Sequence, residues 1–153
     1  MITIQDMNGY ARKMALAYEK ALLPLAKEME MPHTAVSILL FIANNPDYAT
    51  AKDICALRGL KRPIVSAHVE RLVQEGYIER HAVPGDRRKD ALVCTAKASG
   101  IVEAGRERQS AFAEAILAGI SEQERTVMAQ CFHVMNKNID KLIRENNRGG
   151  LEL

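Results

Sequence analysis

Apolar residues recur with a helical period in six stretches of this chain and with an alternating period in one region. Tyr10, Met14, Ala17, Ala21, Leu25 and Met29 fall at steps of three and four, which makes one stripe of an amphipathic helix. Pro24 lies inside that pattern, so a kink or a break is expected there. Pro32 is placed to open a second helix at its first position, with Val36, Leu39, Leu40 and Ala43 on the buried face. Asn44-Asn45-Pro46-Asp47 then reads as a turn.

Two short helices follow. Thr50 has Asp53 three residues on, a capping-box spacing, ahead of Ala51, Ile54, Cys55 and Leu57 as buried positions. Gly59 ends that helix, because glycine accepts the left-handed conformation at no steric cost. The next helix has Pro63 in its first turn and Val65, Val69, Leu72 and Val73 on its apolar side, and Gly76 stops it. At 100° per residue, its opposite face carries Pro63, Ala67, Glu70, Arg71 and Gln74, flanked by Ser66 and Ile64.

The period then changes. Tyr77, Glu79, His81 and Val83 alternate with Ile78, Arg80 and Ala82, which predicts a strand. Pro84-Gly85-Asp86 is turn chemistry, followed by Arg87-Arg88-Lys89, and Ala91 to Cys94 reads as the returning strand of a hairpin with a basic tip. Thr95 is placed to cap a longer helix through Ile101, Val102, Ala104, Phe112, Ile116 and Leu117, whose first turns Gly100 and Gly105 weaken. Ser121 to Glu124 is a capping box before a last helix carrying Val127, Met128, Cys131, Met135, Ile139, Leu142 and Ile143, and Asn146 to Gly150 reads as a frayed tail.

Composition narrows the function classes. With 48% hydrophobic and 26% charged residues among 153, the chain is long and apolar enough to bury a core and is not a disordered segment. No apolar run approaches the ~20 residues of a spanning helix, and the first residues carry neither a basic leader nor a long apolar stretch, so neither membrane insertion nor a signal peptide is expected. Cys55, Cys94 and Cys131 are odd in number and far apart, which points to a reducing cytoplasm. The cysteines and His33, His68, His81 and His133 lack metal-ligand spacing, so neither a metal nor catalytic residues are assigned and no enzyme activity is expected.

A net charge of +2 says little until it is placed. Between Lys52 and Lys89 there are nine Lys and Arg against five Asp and Glu, so this segment is +4 and the remainder is −2. The basic excess therefore coincides with the two short helices and the hairpin. A short helix, a Gly-containing turn and a second helix with a small-and-polar outer face form a helix-turn-helix, and the hairpin makes it winged. A helix fits the major groove of duplex DNA, and Lys61 with Arg62 add positive charge where its N-terminal amides favour phosphate. Arg87-Arg88-Lys89 alone would be an ordinary solvated turn; following a helix-turn-helix, it becomes a wing able to reach the DNA backbone or minor groove.

Val69 to Arg80, then Gly85-Asp86-Arg87-Arg88 and Leu92-Val93-Cys94-Thr95, resembles the MarR family of bacterial transcription regulators. The pattern is a reading helix ending in Leu-x-x-x-Gly-hydrophobic-hydrophobic, a wing with Asp-x-Arg, and a strand ending before Thr and a long helix. The chain departs from it at Cys94, at Ala98 and at Ala67, where many relatives carry Arg. The expected fold is mainly α (α+β): a winged helix-turn-helix with a two-stranded wing and long N- and C-terminal dimerisation helices. Residues 32–95 would form the DNA-binding lobe, and 1–31 with 96–148 the dimerisation region of a single 153-residue MarR-like chain.

The resemblance implies a homodimeric, ligand-responsive repressor on a pseudo-palindromic operator. Lys61, Arg62, Pro63, Ser66, Ala67 and Arg71 would act on the reading helix, and Asp86, Arg87, Arg88 and Lys89 on the wing, with Asp86 orienting Arg88 into the minor groove. The long apolar stripes of the terminal helices exceed what a small winged-helix core can cover, which independently calls for a partner copy. No bound cofactor is expected. Met7, Met14, Met29, Met31, Met128 and Met135 are core and dimer packing, or line a pocket for the small lipophilic or phenolic effectors that relatives bind. Two other readings stay open: a winged-helix protein-interaction module without DNA binding, and a redox-sensing regulator using Cys131.

Overall fold

The computed structural model describes residues 1–83 and 85–146, apart from the side chains of Tyr48, Asp86, Arg87, Arg88, Lys89 and Asn146. Its elements are α1 (Ile4–Glu28), α2 (His33–Asn44), a 3-10 turn (Pro46–Tyr48), α3 (Ala51–Arg58), α4 (Arg62–Gln74), β1 (Ile78–Val83), β2 (Asp86–Cys94), a second 3-10 turn (Ala96–Ala98), α5 (Ser99–Ile116) and α6 (Glu122–Asn146). Six helices and one two-stranded antiparallel sheet make a mainly α winged-helix architecture. The chain divides into two compact units, Met1–Phe112 and Ala113 onward, with the boundary inside α5.

In the first unit the core gathers around α2. Ala35 through Leu40 and Ile42 are all buried, so this helix is apolar on nearly every side and sits centrally rather than at a surface. Fully burying residues such as Val36, Ile38, Leu39 and Leu40 contributes about 1.5–3 kcal/mol each. Around it pack Leu22, Leu25 and Ala26 from α1, Ile54 from α3, Val65, Val69 and Leu72 from α4, Ile78 and Leu92 from the sheet, and Ile101 and Val102 from α5.

Gly105 lets α5 come close. A Cβ at that position would overlap the side chain of Leu40, which is 1% exposed. A glycine that looked like a weakness of the helix is thus the contact that admits α5 to the core.

Several sequence expectations need correction. The helix does not break at Pro24; α1 continues to Glu28. Proline removes one hydrogen bond and costs about 3 kcal/mol in a helix interior, but Leu22 and Leu25 beside it are fully buried and hold the segment against the core. Pro24 and Lys20, whose carbonyl loses its partner, are both exposed, so water can satisfy that oxygen. Pro32 is the N-cap of α2 rather than its first residue. Leu57 is 60% exposed instead of buried, because α3 is only eight residues long and one face of it rests on the core. Thr95 makes no side-chain cap; its hydroxyl donates across the chain to the carbonyl of Gly76 at 2.7 Å, and a 3-10 turn intervenes before α5 begins at Ser99. The tail from Asn147 and Pro84 lie outside the described residues.

The two capping-box predictions hold. Thr50 Oγ1 accepts from the Asp53 amide at 3.2 Å while the Asp53 carboxylate accepts from the Thr50 amide at 3.3 Å. Ser121 and Glu124 repeat the arrangement at α6, at 3.3 and 2.8 Å. The Ser121 hydroxyl and amide, donating to Glu124, hold its carboxyl below the usual glutamate range.

The second unit contains the end of α5, a turn through Gly119 at φ +81°, and α6. Arg125 closes that turn by donating to the carbonyls of Leu117 at 3.0 Å and Ile120 at 3.1 Å while pairing with Glu114 at 3.2 Å. No described residue of the 25-residue α6 is buried, and Val127, Phe132, Val134, Ile139, Leu142 and Ile143 are exposed.

Candidate nucleic-acid interface

Two helices and a three-residue turn build the candidate surface. α3 ends at Gly59, whose φ of +63° reverses the chain, and α4 starts at Arg62 with Pro63 in its first turn. Val65, Val69 and Leu72 anchor α4 to the core. Opposite them Lys61, Arg62, Pro63, Ile64, Ser66, Ala67, Glu70, Arg71 and Gln74 are exposed. The structure thus places all six residues expected on the reading helix at the surface, with Ile64 between them.

The far end of α4 is fixed by contacts that sequence reading missed. Lys97 Nζ donates to the carbonyl of Glu75, the C-cap residue, at 2.6 Å, and sits 4.5 Å from the Tyr77 ring centroid. A cation at a helix C-terminus satisfies an orphan carbonyl and opposes the helix dipole favourably. The Thr95 amide and hydroxyl bind the carbonyls of Tyr77 and Gly76. These bonds hold the end of α4 to the end of the sheet where Ile78 pairs with Cys94.

A second bracket fixes α3. Arg58, in its last turn, donates to Ser37 Oγ at 2.6 Å and lies 5.9 Å from the centroid of the Tyr18 ring. The Tyr18 hydroxyl accepts from Gln109 at 2.5 Å, Gln109 accepts from Asn44 at 2.9 Å, and Asn44 accepts from Arg106 at 2.9 Å. Among the described residues Ser37 is the one buried polar side chain of the core. The helix-turn-helix is therefore tied to α1, α2 and α5 by polar contacts as well as by packing. No local motif signals these contacts, since the partners lie 21 to 91 residues apart.

Charge on the reading face is partly self-neutralised. Arg71 Nε pairs with Glu75 at 2.7 Å, and Arg80 of β1 pairs with Glu70 at 2.9 Å. Such exposed pairs are worth roughly 0–1 kcal/mol, so a phosphate can take over the Arg71 guanidinium at little cost. Lys61 and Arg62 stand at the start of the helix.

β1 and β2 pair antiparallel from Ile78 opposite Cys94 to Ala82 opposite Asp90. The register then shifts, with Val83 opposite Asp86, so Arg87, Arg88 and Lys89 fall in the irregularity. β2 thus begins at Asp86 rather than at Ala91, and the basic trio belongs to the strand backbone rather than to the loop before it. The turn passes through Gly85 at φ +85°. The side chains of Asp86, Arg87, Arg88 and Lys89 lie outside those described.

A helix-turn-helix followed by a two-stranded wing matches known proteins. The family model described as MarR family matches residues 29–89. The matched segment is similar to the MarR family and folds as a winged helix-turn-helix. The match spans α2 to the middle of β2 and contains every residue expected to meet DNA.

The fold agrees over a greater length. The transcriptional regulator SlyA is 20% identical with a TM-score of 0.71, covering 89% of this chain and 95% of its own. A MarR protein from Peptoclostridium difficile gives 17% and 0.71 over 92% of this chain and 94% of that one. A Listeria monocytogenes protein assigned as a MarR family transcriptional regulator, solved in complex with a 26-mer DNA, gives 15% and 0.72 over 100% and 99%. The chain therefore shares the fold of these proteins along nearly its whole length. No described helix is long and apolar enough to cross a membrane, and no three described His, Cys, Asp or Glu residues gather as metal ligands.

Proposed function

We infer that this chain is a sequence-specific DNA-binding transcription regulator acting as a homodimer on a pseudo-palindromic operator. The observation that carries the reading is the exposed outer face of α4, with Lys61, Arg62, Pro63, Ser66, Ala67 and Arg71 at the surface beside an antiparallel ribbon whose register slips at Arg87 to Lys89. α4 enters the major groove, Lys61 and Arg62 meet phosphates, and Arg87, Arg88 and Lys89 follow the backbone or the minor groove, with Asp86 orienting Arg88. That a MarR-fold protein from Listeria monocytogenes was solved with a 26-mer DNA supports this assignment.

The exposed apolar stripe of α6 supports the homodimer. Among its described residues α6 has none fully buried and only Arg125, Met128 and Met135 half-buried, whereas most helix stability in proteins comes from burying an apolar face. Ile4, Tyr10, Leu16 and Leu23 of α1 are exposed likewise. A second copy covering these helices sets two α4 helices about one DNA turn apart.

The regulator is a repressor released by a small lipophilic or phenolic effector. Release operates by differential affinity: the effector must bind the DNA-incompetent arrangement more tightly to lower operator occupancy.

Titrating duplex DNA at several salt concentrations tests the reading. Arg62→Ala and Arg88→Ala should each lower affinity and reduce the slope of log K against log salt by about one. Unchanged affinity and slope in both variants would overturn it. A panel of phenolic acids should weaken DNA binding and raise the melting temperature if the effector assignment holds; no change in either sinks that part alone.

A further inference from the structure

The outer face of α4 has a chemical character that the charge pattern hides. At 100° per residue, Ile64, Ala67 and Arg71 form one ridge, spaced i, i+3 and i+7. Ile64 is 42% exposed on a helix whose other apolar residues face the core or are small. The side chains able to make bidentate base contacts are few here. Arg71 lies at the far end of the ridge, two turns from Ile64, where it pairs with Glu75 at 2.7 Å, and Gln74 lies 3.5 Å from Glu70. Beyond Arg62 at its first position, assigned above to phosphate, the leading two turns present Pro63, Ile64 and Ala67, with Ser66 as the one hydroxyl.

In the major groove an apolar side chain has one specific partner, the 5-methyl group of thymine. A G·C pair carries no methyl group there, only a cytosine C5–H beside donors and acceptors, and burying Ile64 against it would desolvate those groups without replacing their hydrogen bonds. The +4 segment from Lys52 to Lys89 supplies the attraction that brings this ridge to duplex DNA.

We propose that Ile64, with Ala67 beside it, reads thymine methyl groups, so that each operator half-site carries A·T pairs where the leading turns of α4 enter the groove. The proposal rests on the DNA-binding reading above and adds the base class that this helix selects. Ile64 is the specificity-determining residue, Ala67 leaves room for the methyl group, and Arg71 serves the phosphate or a base further along the groove.

The test uses the full chain and two random 26-base-pair duplex pools, one made with thymidine and one with deoxyuridine, which lacks only the methyl group. Sites enriched from the thymidine pool are resynthesised with single deoxyuridine substitutions and titrated by fluorescence anisotropy against wild type, Ile64→Ala and Ile64→Leu. One or two positions per half-site should lose about fourfold in affinity on losing the methyl, the value of one buried carbon. Ile64→Ala should show a comparable loss on the thymidine site and become indifferent to deoxyuridine there, whereas Ile64→Leu should retain the sensitivity. The slope of log K against log salt should be the same in all three proteins, since no phosphate contact is altered. Wild type indifferent to deoxyuridine at every position, or a penalty that persists undiminished in Ile64→Ala, overturns the proposal while leaving DNA binding intact. Absence of salt-dependent binding to either pool overturns the DNA-binding reading itself and this proposal with it.

Discussion

Gly105→Ala tests whether the packing of α5 on α2 governs the stability of the first unit. In a solvent-facing helix, replacing Gly by Ala stabilises by about 1 kcal/mol. Here the added Cβ would meet Leu40, with Cδ1 at 2.8 Å and Cγ at 3.0 Å, both inside ordinary contact. Leu40 is 1% exposed and belongs to the same buried cluster as Leu25, Ile38 and Leu39, so interior packing density leaves it little room to yield. Overpacking of this kind costs about 1–3 kcal/mol, and the closeness of three Leu40 atoms argues for the upper end. Subtracting the helix gain of about 1 kcal/mol leaves a net loss of about 2 kcal/mol. At this chain length that lowers the melting temperature by roughly 4–8 °C.

The assay is urea unfolding followed by circular dichroism, at fixed protomer concentration because association shifts apparent stability. Leu40→Ala alone should cost about 2–5 kcal/mol, but in that background the sign of the Gly105→Ala effect should reverse to a gain of about 1 kcal/mol. If Gly105→Ala stabilises the wild-type chain, or acts equally in both backgrounds, the close approach is not what restricts this position.

Three further outcomes follow from local geometry. Thr50→Ala removes the cap of α3 and should cost about 1 kcal/mol, read as a lower urea midpoint; no change would mean that the Thr50–Asp53 box contributes nothing to the helix-turn-helix. Glu30 holds a left-handed backbone with φ +51° where α1 ends, so Glu30→Gly should stabilise by about 0.5–1 kcal/mol, and a loss of stability would refute the strain argument. Hydrogen bonds from Ser121 depress the folded pKa of Glu124. That contribution is present above the ordinary glutamate pKa and disappears as the pH falls through the lowered folded value. Glu124→Gln should therefore flatten the acid limb of the stability–pH curve, and an unchanged acid limb would count against it.

Much of the fold was legible because its signals are local. Capping boxes at Thr50 and Ser121, glycines at 59 and 76, and the 3.6-residue spacing of Val65, Val69 and Leu72 all act within one or two turns. The same spacing at Thr3 and Asp6 marks the start of α1 and could have been read in the same way. What escaped notice depends on residues distant in the chain. Gly105 reads as a helix weakness until Leu40 is seen against it, and Pro24 reads as a breaker until Leu22 and Leu25 are seen to be buried. The outer face of α4 was legible from helical position, since the six residues expected there are all exposed. Its supports were not: Lys97 on the Glu75 carbonyl and Arg58 on Ser37 follow only from the folded chain.

The central claim is that paired α4 helices read a two-fold-related DNA site. Selection from random duplex DNA with the purified full chain tests it most directly. The account predicts enrichment of a pseudo-palindrome whose half-site centres lie about 10–10.5 base pairs apart, bound by two copies of the chain. No enrichment at low salt, or enrichment of a lone asymmetric site bound by one copy, would contradict it.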